Sequence, residues 1–146
     1  MPGEVRSCIN ITAVPGYYVR GVTLSNCHFT FPGGGTEEEA QRSVPELRDH
    51  YPEYHMFGTL PSYGLYLRHV SGITLDHVTF NLESADFRAA VVGEDVRDLD
   101  LSHLRLSGTS GKGATLRFSG LKGASIHGCR LLSHAQVFLQ LEGSEN

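Results

Sequence analysis

An eight-residue pattern of alternating apolar and polar positions occurs four times along the chain. The copies begin at Val22, Ile73, Leu99 and Ala124. Positions one, three, six and eight are apolar in every copy, and the residues between them are mostly Thr, Ser, Asp, His or Arg. Alternation with a period of two is typical of β-strands. Each copy therefore predicts two short strands that meet at a sharp corner.

The spacing of the copies predicts how they are arranged. The last three follow one another at 26 and 25 residues, whereas the first precedes the second by 51. Such a repeat, built of short strands, is typical of a solenoid. Parallel strands about 4.8 Å apart would align each apolar position into an inward row. We therefore predict an all-β parallel β-helix of about four to five coils, with Leu24, Leu75, Leu101 and Ile126 as neighbours in one row.

A second set of alternating apolar residues predicts a third strand in each coil. Its members recur with nearly the same period: Leu65/Leu67, Ala90/Val92, Leu116/Phe118 and Leu139/Leu141.

Residues 31–62 interrupt the rhythm and account for the doubled first interval. This segment opens with Phe31-Pro-Gly-Gly-Gly, which cannot form a central strand. Thr36 followed by three glutamates resembles a helix N-cap with an acidic first turn, so we predict a short helix at 37–42. We interpret residues 31–62 as a long inserted loop in a single domain spanning 1–146.

Composition excludes several classes of protein. The chain has 146 residues, 40% of them hydrophobic, enough for one core. Its net charge of −4 and scattered Lys and Arg argue against nucleic-acid binding. No apolar run approaches the ~20 residues that span a bilayer, so we expect no membrane partner. Three cysteines without a CxxC pair indicate neither a disulfide framework nor a zinc knuckle.

Histidines at the corner position raise the question of a metal site. His77 and His103 occupy the same position of the pattern as Asn26. Stacked side chains that satisfy the turn backbone explain this column better than a metal pair without a third ligand. We therefore predict a corner ladder, with no metal and no cofactor.

Adjacent acidic residues, Glu94 and Asp95, are the candidates for a catalytic carboxylate pair. Inverting hydrolysis of a glycosidic bond needs two carboxyl groups about 6.5–9.5 Å apart across a sugar. Neighbouring residues on a strand point to opposite faces. Turn capping or solvation is therefore the better interpretation, and we predict no catalytic residue.

One outward column suits recognition of a sugar carboxylate. Beside Leu65 and Leu67 we place Tyr66, Val91, Arg117 and Gln140, with Arg68 next to them. Tyrosine offers a stacking platform and arginine a bidentate fork. Loop residues Tyr51, Tyr54, His55 and Tyr63 could line the same groove. The alternative is that Tyr54, Met56 and Phe57 only anchor the loop to the coils.

Longer runs resemble a known family. The pattern copies, Phe31-Pro-Gly-Gly-Gly-Thr36 and especially Tyr51-Pro-Glu-Tyr-His-Met-Phe-Gly-Thr-Leu-Pro-Ser-Tyr-Gly-Leu-Tyr-Leu-Arg-His-Val70 resemble the C-terminal coils of bacterial polygalacturonase-type, pectin-degrading glycoside hydrolases. The likeness covers nearly the whole chain but about the last third of a family member. It implies a right-handed β-helix that acts on a uronate- or rhamnose-containing polysaccharide. Members of the family are generally extracellular or periplasmic, and the location of this chain stays open.

The family's catalytic strands are not found in this chain. Asn-Thr-Asp, Asp-Asp and Gly-His-Gly do not occur. Gly64-Leu-Tyr-Leu-Arg68 has the spacing of the family's Gly-Ile-Arg-Ile-Lys strand, with Tyr66 in the arginine place. We therefore expect no hydrolysis by this chain alone.

Two hypotheses about function stay open. The chain is either a segment of a pectin-type hydrolase whose catalytic carboxylates lie in other coils, or a non-catalytic β-helix that binds carbohydrate or assembles with itself. Because the strand predicted at Cys8–Thr12 is uncapped, we expect a homo-oligomer or part of a longer chain.

Overall fold

The protein is all-β and consists of parallel strands in one curled sheet. The computed structural model describes residues 8–46 and 59–143; strand accounts for 60% and helix for 3%. Every strand pairing in these residues is parallel. The elements are β1 (Ile9–Thr12), β2 (Val19–Phe31), α1 (Glu37–Ala40), β3 (Ser62–Leu82), β4 (Ala89–Ser102), β5 (Arg105–Leu106), β6 (Ala114–Ser119), β7 (Lys122–His127), β8 (Arg130–Leu131) and β9 (Val137–Glu142).

The predicted interior row is confirmed by the strand register. Leu24 pairs with Leu75, Leu75 with Leu101, and Leu101 with Ile126. Position one of the pattern is in register in the same way, from Val22 on β2 to Ala124 on β7. The rows merge into one apolar cluster inside the curl. The copies of the pattern therefore stack directly on one another, which gives the central side chains of the row, Leu75 and Leu101, an apolar neighbour on both sides.

The second predicted set of rows needs a correction of one residue. Leu65 pairs with Val91 and Leu67 with Gly93, so Val91 points inward and Val92 outward. A side chain on Gly93 would collide with the ring of Phe118, which lies next to it in the row. The sequence pattern missed this register because the inward position at Gly93 carries no apolar side chain to mark it.

The corner column is confirmed in its backbone conformation and in the stacking of His77 on His103. Asn26, His77 and His103 all have φ between 55° and 57°, and Gly128 continues the column at 67°. Among residues other than glycine, Asn, Asp and His most readily adopt this left-handed conformation. The rings of His77 and His103 stack at 4.6 Å between centroids, with 14° between their planes.

The inserted segment lies against the outer side of the sheet where it is described. The predicted helix begins as expected, with a capping box between Thr36 and Glu39, and it ends earlier, at Ala40. Val44 and Leu60 pack on the outer side chains Tyr66 and Val92. The predicted loop residues Tyr51, Tyr54, His55, Met56 and Phe57 lie outside the described residues.

Two smaller expectations concern membranes and cysteines. In the described ranges, no helix has the length and apolar character needed to cross a bilayer.

The three cysteines are free and partly buried. Cys27 and Cys129 pack against the interior cluster, as filler of the core.

Candidate functional site

The two predicted aromatic contacts are buried. Tyr63 belongs to the interior cluster, where its hydroxyl donates to the Ser107 carbonyl at 2.7 Å. Tyr66 faces outward as predicted, but Val44 of the inserted segment covers it. Burial raises the pKa of both phenols. The expectation of an exposed stacking platform made by these two rings is therefore corrected.

Arg68 holds the inserted segment in place. Its guanidinium donates to the carbonyls of Val44 and Pro45 at 2.7 and 2.9 Å. Its Nη1 lies 3.6 Å from a Glu94 carboxylate oxygen, which also accepts a hydrogen bond from Tyr66 at 2.7 Å. The guanidinium that was predicted to bind a sugar carboxylate therefore donates to the protein's own backbone. The inserted segment occupies the position expected for a ligand.

Arg117, the fourth predicted contact, is partly exposed beside the same segment. Its Nη2 donates to the Ala40 carbonyl at 3.1 Å. A shallow groove of about 160 Å³ lies beside it, and Arg42, Glu94 and Glu142 also line this groove. Arg42 in turn donates to the Thr59 carbonyl. Two positive and two negative side chains give this groove no net preference for an anionic sugar.

A polar network that the sequence analysis missed surrounds His69. The ring nitrogens lie 2.7 Å from Asp95 Oδ2 and 2.8 Å from Glu46 Oε2. Tyr18 donates to Asp95 at 2.9 Å. Burial alone would raise the pKa of Asp95, but the hydrogen bonds from His69 and Tyr18 outweigh it and hold that pKa below its ordinary value. The network ties the inserted segment, through Glu46, to β3 and β4.

This network was detectable in part from the sequence. His69 and Asp95 are 26 residues apart, one repeat of the pattern, and both adopt the left-handed conformation of a corner. The prediction that Asp95 belongs to a turn agrees with this position. Contact with Glu46 was not predictable, because it depends on the path of the inserted segment.

An open groove at the corner ladder has two exposed arginines in its lining. Its volume is about 370 Å³, and its lining is His77, Thr79, His103, Arg105, Gly128 and Arg130. Arg105 and Arg130 are in register on β5 and β8, and both are exposed. Within residues 8–46 and 59–143, no carboxylate forms an ion pair with either guanidinium. Both arginines occupy position seven of successive copies, a signal already present in the sequence.

The same corner brings together three side chains of the kind that bind metals. Ligand atoms of Asp76, His77 and His103 all lie within 4.8 Å of one another. The sequence analysis considered the two histidines without a third ligand. Asp76 supplies one, because it precedes His77 on β3 and is in register with Ser102, the residue before His103.

Comparison of the chain with family models, with curated proteins and with solved structures finds no match. The resemblance to polygalacturonase-type hydrolases therefore rests on the sequence runs alone and stays an expectation. Any function has to be argued from the geometry of the grooves and side chains.

Proposed function

We propose that this chain is a right-handed parallel β-helix of about four to five coils that binds an acidic, uronate-containing polysaccharide and does not hydrolyse it alone. The in-register stacking of the copies and the strong right-handed preference of connections between parallel strands support this architecture. The observation that carries the binding proposal is the pair of exposed arginines, Arg105 and Arg130, in the corner groove.

The pair suits a carboxylate on a sugar chain. Strand spacing places the two positions about 4.8 Å apart along the stack. Each guanidinium offers a planar, bidentate donor to a carboxylate. Thr79 adds a hydroxyl in the same groove. The groove is therefore a local cationic site on a protein whose net charge is −4, which favours contact with a few carboxylates of a sugar chain over binding of a nucleic acid.

The state of the carboxylates supports binding without hydrolysis. A glycoside hydrolase needs an acid with a raised pKa and a second carboxylate across the sugar. Asp95 has a lowered pKa and is held by His69 and Tyr18. Glu94 accepts a hydrogen bond from Tyr66 and faces Arg68. Neither carboxylate of the pair is placed to protonate a leaving group.

Removing the arginine pair tests the proposal. We expect the native protein to bind de-esterified polygalacturonate with micromolar affinity. The R105Q/R130Q variant should bind at least about tenfold more weakly, since hydrogen bonds to charged groups contribute about 1.5–3 kcal/mol each. Isothermal titration calorimetry with short oligogalacturonates measures both affinities.

A matched control separates a site from general charge. R20Q/R97Q also removes two exposed arginines, neither of which lines the groove, and it should bind like the native protein. Equal weakening in both double variants would contradict the site. Reducing sugar released by purified protein would contradict the absence of hydrolysis.

A second candidate function, self-assembly, is favoured by the β9 end of the sheet. Val137, Leu139 and Leu141 are 37%, 37% and 46% exposed. In the part of the chain that the structure describes, β9 pairs with β6 on one side only. Such an edge presents an apolar face and unpaired backbone groups, so it can pair with a strand of a second copy.

Light scattering tests this assembly. We expect a mass above that of the monomer at micromolar concentration, and L139K should return the protein to the monomer. F87K is the control, because Phe87 is also exposed but lies in the β3–β4 connection. A monomeric native protein would exclude the assembly.

A further inference from the structure

The corner cluster of Asp76, His77 and His103 is built by the stacking of two copies of the pattern. His77 and His103 occupy equivalent corners, and both have a left-handed backbone, with φ of 56° and 57°. This conformation turns both imidazoles outward, and they stack face to face at 4.6 Å. Asp76 is half-exposed beside them. The rings are therefore neighbours because the coils stack.

Hydrogen bonds orient the three groups toward one another. His77 Nδ1 lies 2.9 Å from Asp76 Oδ1, and the Ser102 hydroxyl donates to the same oxygen at 2.8 Å. Ser102 Oγ also lies 3.0 Å from His103 Nδ1. Asp76 Oδ1 also lies 3.8 Å from His103 Nδ1, so one carboxylate oxygen is close to both rings.

The donor set is typical of divalent transition metals. Imidazole nitrogen suits zinc, copper and nickel, and a carboxylate commonly completes such a site. In a tetrahedral zinc site two ligand atoms lie about 3.4 Å apart, since each is about 2.1 Å from the ion. The ligand atoms of the cluster all lie within 4.8 Å of one another. A contraction of at most about 1.4 Å, which rotation of exposed side chains allows, lets them surround one ion.

The surroundings indicate an open, exchangeable site. Side chains of the cluster are 41–56% exposed, and the two imidazoles line the groove of about 370 Å³. Three protein ligands leave a coordination position for water or an external ligand. Arg105 and Arg130 line the same groove, and their positive charges lower the affinity for a cation. We therefore expect binding in the micromolar range.

We propose that Asp76, His77 and His103 bind one divalent transition-metal ion, such as zinc, at the corner of the stacked coils. This site is independent of the polysaccharide proposal, because it needs no sugar. Its remaining coordination position faces the groove.

Asparagine substitutions test the site with little change to the backbone. The first copy of the pattern carries Asn26 at the same corner, with φ of 55°, so H77N and H103N place a residue that this conformation accepts. Protein freed of metal with a chelator is titrated with Zn²⁺ alone by calorimetry, and Co²⁺ absorption spectra report the coordination. We expect the native protein to bind one ion per chain. Each variant should bind zinc at least about tenfold more weakly, because loss of only the hydrogen-bond partner of a metal ligand already weakens metal binding by about 10–100-fold.

The control is H134N, which removes a histidine outside the cluster and should leave zinc affinity unchanged. Circular dichroism checks that all variants keep the strand content of the native protein. Native protein that binds no zinc, or an H77N/H103N variant that binds it as tightly as native protein, would overturn the proposal. R105Q/R130Q should bind zinc at least as tightly as native protein, so loss of sugar binding and loss of metal binding are separable outcomes.

Discussion

Replacing Leu75 by alanine should lower the free energy of unfolding by about 2–5 kcal/mol. Leu75 is fully buried and lies in the interior row between Leu24 and Leu101. Both neighbours are held in place by backbone pairing, about 4.8 Å away on either side. The row cannot close around a missing side chain, so most of the cavity remains. Urea denaturation followed by circular dichroism measures the loss.

Two further substitutions determine whether the loss comes from the interior row. Leu24 occupies the same row on β2 but is only partly buried, so L24A should cost clearly less than L75A. Thr74 lies next to Leu75 and alternates to the outer side of the sheet. T74A should change stability within about 0.5 kcal/mol. Equal losses of unfolding free energy for L24A and L75A would contradict the deeper burial of Leu75 in this row.

Breaking the buried ion pair of Asp86 and Arg88 should be as costly. Their side chains are 0% and 3% exposed, and Arg88 Nη2 lies 2.7 Å from Asp86 Oδ2. Asp86 also accepts the backbone N–H of Arg88 at 2.8 Å. R88M leaves an uncompensated buried carboxylate and should lower the free energy of unfolding by about 3–5 kcal/mol. Urea denaturation again measures the effect.

The double variant separates the lost pair from the stranded charge. D86N/R88M removes both charges and should be less destabilised than R88M alone, because the desolvated carboxylate is gone. R105M removes an exposed arginine that has no acidic partner in the described residues, and its effect should stay within about 0.5 kcal/mol. If R88M were no less stable than the double variant, the stranded carboxylate of Asp86 would not be the cause of the loss in R88M.

Gly35 shows why this pair is sensitive to its surroundings. A Cβ at this position would meet both Arg88 Nε and a carboxylate oxygen of Asp86. The N–H of Phe87 donates to the Gly35 carbonyl at 3.1 Å. The start of the inserted segment is therefore packed directly on the ion pair, without space for a side chain.

Much of the sheet could be predicted because its signal is local. Alternation within each eight-residue copy marks the strands, and the constant spacing of the copies marks the stacking. Leu24, Leu75, Leu101 and Ile126 were placed in one row on this basis, and the pairing agrees. The one-residue error at Val92 arose where Gly93 interrupts the apolar signal.

The candidate site was predicted less well, because it depends on contacts between distant residues. Tyr66 and Arg68 lie in an outward column, as predicted, but whether they are exposed depends on the inserted segment. Arg68 contacts Val44, 24 residues earlier in the chain. No periodic pattern in the sequence indicates which outward column such a segment covers.

The amino-acid sequence by itself determined the strand periodicity, the row of Leu24, Leu75, Leu101 and Ile126, and the corner positions of Asn26, His77 and His103. Each follows from side chains within one repeat and from the regular distance between repeats. Only the tertiary structure decided which polar groups are buried, which arginines stay exposed, and that Asp76 lies beside both histidines. The physical reason is that burial and ligand geometry depend on side chains from different coils and on the inserted segment, whereas alternation depends on the local pleat of the strand.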